Sequence, residues 1–353
     1  MNVKKILSLA ASIIKLFIII LLFSFNSKAE EENIKYYSDD KGILSLMYHR
    51  FNENKYPSTN IQMNVFKKQI EIIKNLKYSF YDPKELEKNF HLLKVEKKIL
   101  ITIDDAFSSF YEVAWPYLKK ERIPFILFVS TKAVGENGYM TWSQIKEIEK
   151  ETNVYIGNHS HTHGYLVNLK NEDFITDIDI ASKSFNENLG YNPIFFSYPF
   201  GEYSSLIKKY ISKNFKFSFG QHSGVIDNNK DRHELPRFPI NEKYGDLKRF
   251  EFLINLYPLQ YKVLYPDEKY LTSKNNPPNF LVEFFDEQKN IDNINCFSNE
   301  GDKWKKSNIS FNKKKLKLNF RDKFNFRRGR INCSLNDNGI WRWFGVQFSI
   351  EKN

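Results

Sequence analysis

Two apolar stretches of this chain end abruptly in side chains that can bind a metal ion. Residues 101–107 are Ile-Thr-Ile-Asp-Asp-Ala-Phe, and residues 158–164 are Asn-His-Ser-His-Thr-His-Gly. The apolar runs show no alternation with polar residues, which predicts strands buried on both faces, as in a parallel sheet covered by helices. Because such strands end at the same edge of a sheet, the pattern predicts that these carboxylates and imidazoles lie close together.

Strands and helical segments alternate between residues 43 and 252, and at least six such units fit. This order predicts an α/β fold with a parallel sheet, and the uninterrupted apolar strands favour an incomplete or distorted (β/α) barrel. In such barrels the chemistry lies at the C-terminal ends of the strands. The residues at predicted strand ends are His49, Asp104, Asp105, His159, His163, Tyr198 with Pro199, and His222.

The composition changes after the predicted barrel. Residues 253–278 contain repeated prolines and predict a linker, and residues 279–353 predict a small β-sandwich. From 315 to 320, apolar residues alternate with lysine and asparagine, as on an antiparallel strand with one covered face. Cys296 and Cys333 are the only cysteines and suggest one disulfide, with two free buried thiols as the alternative.

The first 29 residues have the features of a secretory signal: a positive start, an apolar run and a small-x-small cleavage site at residues 27–29. A membrane anchor is the alternative, but Lys15 divides the apolar stretch into pieces shorter than the roughly 20 residues that a spanning helix needs. Residues 30–42 are polar and predict a flexible lead-in. The chain is therefore expected to be exported, to the periplasm or out of the cell.

The charge of the chain bears on its partners. The net charge is +11, and four lysines of the first 29 residues leave +7 on the rest. An excess spread along the chain is typical of a solvated surface, so no nucleic-acid partner is predicted. A glycan partner in the cell envelope fits an exported protein better, and the sequence leaves the oligomeric state open.

The two motifs together suggest metal-assisted hydrolysis. One aspartate of the pair, with His159 and His163 four residues apart, forms an open ligand set that suits zinc and also cobalt or iron. A bound metal lowers the pKa of water and polarises a carbonyl group. Asp104 would remove a proton from the attacking water, and a protonated histidine would donate one to the leaving amine. His161 would point away from its neighbours and is interpreted as exposed or supporting.

These residues resemble the polysaccharide deacetylases with a NodB homology domain (carbohydrate esterase family 4). Residues 102–106 resemble the family's Thr-Phe-Asp-Asp-Gly motif, and residues 159–163 match its His-(Ser/Thr)-x-x-His motif. Residues 197–201 resemble its Arg-x-Pro-Tyr-Gly segment, and residues 46–51 resemble the start of the branch acting on poly-N-acetylglucosamine. The resemblance covers about residues 43–252.

The resemblance implies a distorted (β/α) barrel that holds one divalent metal ion, zinc first, with cobalt or iron as alternatives. It also implies hydrolysis of N-acetyl groups on a polysaccharide or oligosaccharide to free amine and acetate, with Asp104 as the general base. The backbone N–H of Phe200 would help to bind the oxyanion. The implied metal ligands are Asp105, His159 and His163, and the implied substrate-binding residues are His49, Tyr198, Pro199 and Phe200.

The sequence departs from the family pattern in three respects. Ala106 replaces a glycine, and Ser197 replaces the arginine that usually steadies the catalytic aspartate. Arg237 is the candidate to supply that positive charge from another strand. The sequence has no family-type Leu-x-His segment for the general acid, so His222 is the first candidate and His49 the second.

A catalytically degenerate glycan-binding protein on the same scaffold is the alternative, supported by the loss of the usual arginine and acid histidine. Retention of Asp104 argues against it, since a binding module needs no base. A glycoside hydrolase needs two carboxylates roughly 5–10 Å apart across a sugar bond, which neighbours in sequence rarely achieve. The tryptophans of the C-terminal segment would either stack on glycan or form core: Trp304, Trp341 and Trp343.

Overall fold

The structure is a computed structural model and describes residues 34–351. The predicted signal, residues 1–29, and the first part of the predicted lead-in lie outside the described residues. Within residues 34–351, no helix has both the length and the apolar character that crossing a membrane requires. Tyr36 and the described residues that follow it form one compact unit.

A parallel sheet forms the N-terminal part of this unit, and its central strands are buried along almost their whole length. Such burial is expected of apolar strands covered on both faces. The strands of this part are β1 (Ile43–Tyr48), β2 (Arg50–Phe51), β3 (Asn60–Ile61), β4 (Ser79–Phe80), β5 (Lys98–Ile103), β6 (Phe125–Val129), β7 (Val154–Asn158), β8 (Phe195–Ser197), β9 (Phe217–Phe219) and β10 (Phe238–Pro239).

The main sheet follows the order β10-β1-β5-β6-β7-β8-β9, with β4 paired to β5, while β2 and β3 form a separate pair. Every pairing in the main sheet is parallel. The strands curl into a half-barrel, and one short segment bridges its two edges. Leu235 pairs with Phe219 of β9, and three residues later Phe238 pairs with Leu46 of β1. The prediction of a distorted (β/α) barrel is confirmed.

Helices cover this sheet, and three of them begin at a side-chain cap. They are α1 (Met63–Asn75), α2 (Glu85–Asn89), α3 (Trp115–Glu121), α4 (Trp142–Glu149), α5 (Asn171–Leu189), α6 (Ser205–Asn214) and α7 (Leu247–Ile254). Thr141 caps α4 in a reciprocal capping box with Gln144, and Ser204 caps α6. A π-helical turn, Phe110–Ala114, precedes α3.

The C-terminal part is rich in antiparallel strands. Its strands are β11 (Tyr257–Pro258), β12 (Val263–Tyr265), β13 (Tyr270–Leu271), β14 (Phe280–Glu283), β15 (Asn295–Ser298), β16 (Lys305–Lys306), β17 (Asn308–Asn312), β18 (Lys315–Asn319), β19 (Arg328–Asp337) and β20 (Ile340–Ile350). One sheet has the order β11-β20-β19-β15-β16 with β13 on β20, and another has the order β12-β14-β18-β17.

These C-terminal sheets share one hydrophobic core, which holds the disulfide between Cys296 and Cys333. The two cysteines lie directly opposite each other on β15 and β19. Residues 253–278, expected to be a linker, contain β11, β12 and β13, which pair with β20 and β14. The division of the chain at residues 252 and 279 therefore stays a prediction.

Candidate active site

Asp105, His159 and His163 form a cluster at the C-terminal ends of β5 and β7. One ligand atom from each residue lies within 4.8 Å of the others. The Nε2 atoms of His159 and His163 lie 3.6 and 3.2 Å from the Oδ1 atom of Asp105. The structure therefore brings together the three residues that the motif comparison assigned to a metal.

The protonation of His159 suits a metal ligand. Its Nδ1–H donates to the Ser197 carbonyl at 2.7 Å, which leaves the lone pair of Nε2 facing Asp105. Within the described residues this buried Nε2 atom has no hydrogen-bond partner. Burial lowers the pKa of His159 to about 4 despite the nearby Asp104 charge, so the ring is neutral at pH 7. A divalent cation fits this donor set.

Left-handed backbone at the end of β5 explains how two adjacent aspartates reach one site. Asp105 and Ala106 have φ angles of +74° and +54°, so the strand alternation has ended there. Glycine is favoured at such angles, and alanine adds a cost of about 1 kcal/mol. The glycine-to-alanine departure at position 106 therefore affects backbone strain and leaves the aspartates in place.

The histidine loop is held by groups that the sequence analysis did not identify. Asp177, on the buried face of α5, accepts hydrogen bonds from the backbone N–H groups of His161 and Thr162. The Ser160 hydroxyl accepts one from the N–H of His163 at 3.0 Å. His161 itself contacts the Thr131 hydroxyl through Nδ1. An acidic residue on the apolar face of a helix was the available signal for Asp177.

Asp104 is fully buried and forms a two-point ion pair with Arg237. The Nη1 and Nη2 atoms of Arg237 lie 2.6 and 2.9 Å from the two carboxylate oxygens. Burial raises the pKa of Asp104, but the Arg237 charge, followed by His159 and His49, lowers it to about 2. The carboxylate is therefore ionised and held in a fixed orientation.

Position 197, where the family motif has an arginine, is occupied by a serine, and the guanidinium of Arg237 lies against it. Arg237 lies in the segment that bridges β9 and β1, and its Nη2 atom donates to the Ser197 hydroxyl at 2.7 Å. It also donates to Thr102 at 3.2 Å and to the Gly220 carbonyl at 2.9 Å. The positive charge thus enters from a different strand but lies against the same carboxylate.

The two candidate acids occupy different environments. The Nε2 atom of His49, directly after β1, lies 4.0 Å from Oδ2 of Asp104, and its side chain is 13% exposed. His222 contributes its carbonyl to the backbone N–H of Arg237. Burial, followed by the charges of Lys269, Lys230 and Arg237, lowers the pKa of His222 to about 3. His222 is therefore neutral at pH 7.

The segment at the end of β8 presents mainly its backbone and one ring. The side chains of Tyr198 and Pro199 are buried, and the Tyr198 hydroxyl donates to the His233 carbonyl. Phe200 has a φ angle of +59°, and its ring lies 4.6 Å from that of His163. Of the expected substrate-binding residues here, Phe200 alone places its side chain beside the metal cluster.

The chain is similar to known polysaccharide deacetylases in part of its sequence and in its fold. Residues 94–217 match the family model described as polysaccharide deacetylase. A poly-β-1,6-N-acetyl-D-glucosamine N-deacetylase of Staphylococcus epidermidis is 24% identical over 61% of this chain and 85% of its own length. Two similar solved structures each cover 61% of this chain at a TM-score of 0.55. They are the Streptococcus pyogenes deacetylase PplD (22% identical, 99% of its chain) and IcaB from Ammonifex degensii (24%, 97%).

The half-barrel with carboxylates and imidazoles at its strand ends defines the class of protein as a NodB-type α/β barrel. The matched segment and the relatives resemble one family within that class, the polysaccharide deacetylases. Residues 94–217 carry the likeness to the polysaccharide deacetylases, and the similarity to the poly-β-1,6-N-acetyl-D-glucosamine N-deacetylase extends over 61% of the chain.

Proposed function

We propose that this chain is a metal-dependent hydrolase that removes N-acetyl groups from an amino-sugar polysaccharide. The observation that carries the proposal is that a buried carboxylate lies next to a cluster of residues able to bind a metal ion. A buried carboxylate, Asp104, fixed by Arg237, lies beside an Asp/His/His cluster whose buried His159 nitrogen faces inward without a partner among the described residues. A deacetylase needs both a base and a metal ion close to the carbonyl carbon of the acetyl group.

The residues of this chain have distinct roles in that reaction. Asp105, His159 and His163 would hold a divalent cation, which would polarise the carbonyl group and lower the pKa of water. We propose zinc, with cobalt and iron as alternatives. Asp104 accepts the proton of the attacking water, and the Phe200 N–H donates to the developing oxyanion. The amide C–N bond then breaks to give acetate and a free amine.

We propose His49 as the general acid that protonates the leaving amine. It lies next to Asp104 and is partly exposed to solvent, so a substrate can reach it. The low pKa of His222 leaves it neutral at pH 7, which suits a structural role better.

The substrate proposal follows the branch of the family. The staphylococcal relative is named for poly-β-1,6-N-acetyl-D-glucosamine, so we propose an N-acetylated polysaccharide of the cell envelope as the substrate. Export through the N-terminal signal, to the periplasm or beyond, remains part of this proposal. The contact of Arg237 with Asp104 weakens the degenerate-scaffold alternative, because the missing arginine was one of its two supports.

The test is acetate release from N-acetylglucosamine oligomers by the metal-stripped and the zinc- or cobalt-restored protein. Asp104→Asn is expected to lower kcat by about 10²–10⁴-fold, because the base is lost. Its cobalt absorption spectrum should persist, since the predicted ligands remain. His161→Ala is the matched histidine control and should retain activity. Cobalt binding without acetate release from any acetylated glycan would contradict the proposed function.

The acid assignment has its own experiment. His49→Gln is expected to lower kcat by roughly 10²-fold and to remove the alkaline limb of the pH–kcat profile, because that limb reports the protonated acid. His222→Gln should leave the profile unchanged. The reverse result would exchange the roles of the two histidines.

A further inference from the structure

The C-terminal sheet contacts the segment that carries the proposed oxyanion donor. Gln347, on β20 and 4% exposed, donates through Nε2 to the carbonyl oxygens of Phe200 and Gly201 at 3.0 and 3.1 Å. Its Oε1 atom accepts from Nε of Arg330 on β19 at 3.0 Å. Because the guanidinium can only donate, this contact fixes which end of the Gln347 amide faces the two carbonyls.

The next residue of the segment is held from the same sheet. Glu202 is buried and accepts hydrogen bonds from Arg327 at 3.0 and 2.7 Å and from Nε of Arg328 at 2.9 Å. Three consecutive residues, Phe200 to Glu202, are therefore bound by side chains from the C-terminal part. Charge-assisted hydrogen bonds of this kind are stronger than neutral ones.

Aromatic contacts extend this support to a predicted metal ligand. The guanidinium of Arg327 lies 3.5 Å from the ring centroid of Tyr165. The Tyr165 ring stacks on Phe200 at 4.2 Å, and Phe200 meets the His163 ring edge-on at 4.6 Å. A continuous column of packed groups thus connects the start of β19 to the metal cluster.

The backbone of the segment requires such support. Phe200 and Gly201 both have left-handed φ angles, +59° and +68°. A non-glycine residue in this region costs about 1 kcal/mol or more, and it persists when its surroundings determine the conformation. A side chain at Gly201 would lie 2.5 Å from the backbone nitrogen of Gln221, so the chain cannot simply relax around another residue there.

We propose that the C-terminal sheet is part of the active site, and that Gln347 is a positioning residue supported by Arg327 and Arg328. Gln347 binds the carbonyls of Phe200 and Gly201 and thereby fixes the backbone that follows Phe200. This contact orients the Phe200 N–H towards the substrate oxygen on which negative charge develops. This inference rests on the proposed function. PplD and IcaB match 61% of this chain over nearly their whole length, so much of this chain has no counterpart in them.

The experiment compares kcat and KM of the zinc-restored full chain with those of Gln347→Glu. This variant keeps the size of the side chain and the partner of Arg330 but replaces the donor with a second acceptor. We expect kcat to fall roughly 10- to 100-fold with KM within about twofold, because the lost interaction acts in the transition state. Amide hydrogen exchange should rise in the peptide that spans residues 198–203.

The matched control is Asn332→Ala, on the neighbouring strand of the same sheet. Asn332 also contacts the barrel part, through the Ser223 hydroxyl, but it does not contact residues 200–202. It should leave kcat and exchange in residues 198–203 unchanged. The cobalt spectrum and unfolding transition of Gln347→Glu should match the native chain, and Gln347→Leu serves if the glutamate variant does not fold.

The outcomes separate the two proposals. An active native chain whose Gln347→Glu and Gln347→Leu variants keep the native kcat would overturn the positioning role and leave the deacetylase function standing. A native chain that binds cobalt and releases no acetate would remove the proposed function, and this inference with it. Equal losses of kcat in Gln347→Glu and Asn332→Ala would show a general loosening of the sheet and would also overturn the inference.

Discussion

The parallel sheet of the barrel and the antiparallel sheets of the C-terminal part expose polar groups in different ways. Strands β1, β5 and β6 are buried on both faces for nearly their whole length. Strand β18 alternates between buried and exposed residues, and β19 alternates between buried and half-buried ones. A barrel strand can therefore expose polar side chains only where it ends, whereas a C-terminal strand can expose them along one whole face.

This difference explains why the two parts contribute different kinds of side chain to the site. Asp104 and Asp105 follow the end of β5, and His159 follows the end of β7, so the proposed site residues come from the barrel. Arg328 and Arg330 lie two residues apart on β19 and share one face, which reaches the segment after β8. The barrel thus carries the proposed reacting groups, and side chains of the C-terminal sheet bind the loop beside them.

The largest effect that tests this comparison is expected at the buried ion pair of the barrel. Arg237→Met leaves the Asp104 carboxylate buried without its partner, which costs about 3–5 kcal/mol of the free energy of unfolding. The measurement is denaturant unfolding of the native and variant chains at pH 7.

Arg342→Met is the matched change in the C-terminal part. Arg342 is also buried, but its partner Asp337 is partly exposed and can be solvated after the change. We expect a cost of about 1–2 kcal/mol from the lost hydrogen bonds. Equal costs at Arg237 and Arg342 would break the comparison, because the burial of the partner would then not matter.

The second prediction concerns the covalent link in the C-terminal core. The disulfide joins residues 37 apart in sequence, and its removal by Cys296→Ala with Cys333→Ala should lower the free energy of unfolding by about 3–4 kcal/mol. Denaturant unfolding of the native chain and the double variant measures this. A loss below about 1 kcal/mol would show that packing alone holds these sheets. The variants Cys296→Ala and Cys333→Ala, each with one remaining thiol, show whether a free thiol changes the free energy of unfolding relative to the double variant.

The third prediction is a pH dependence of stability where the two parts meet. Asp40 accepts hydrogen bonds from the N–H groups of Gly42 and Lys94, and Gln260 donates to it from the C-terminal side. Burial, followed by the Asp227 charge, raises the pKa of Asp40 to about 6. Its contribution to stability is therefore fully present below about pH 4 and is lost as the pH rises through about 6.

Asp40→Asn tests this sign because asparagine keeps an acceptor and does not titrate. The native chain should lose about 2–3 kcal/mol relative to Asp40→Asn between pH 4 and pH 8, measured by denaturant unfolding at each pH. A difference that stays constant with pH would mean that Asp40 titrates normally.

Much of the site could be predicted because it follows local patterns. The apolar strands and the polar residues at their ends are visible within windows of seven residues, and they predicted both the barrel and the meeting of Asp105, His159 and His163. Asp177 was missed, since an acidic residue on one helix does not indicate which loop it binds. The burial of Tyr198 and Pro199 also follows from packing that the motif does not show.

The sequence by itself determined the order of strands and helices, the apolar character of the barrel strands and the choice of the proposed reacting groups. Tertiary structure decided which distant residues complete the site. Arg237 meets Asp104 across 133 positions, and Gln347 meets Phe200 across 147. The physical reason is that hydrophobic periodicity records which face of an element is covered, whereas a contact between distant polar groups leaves no period in the chain and is set by how the sheets close and pack.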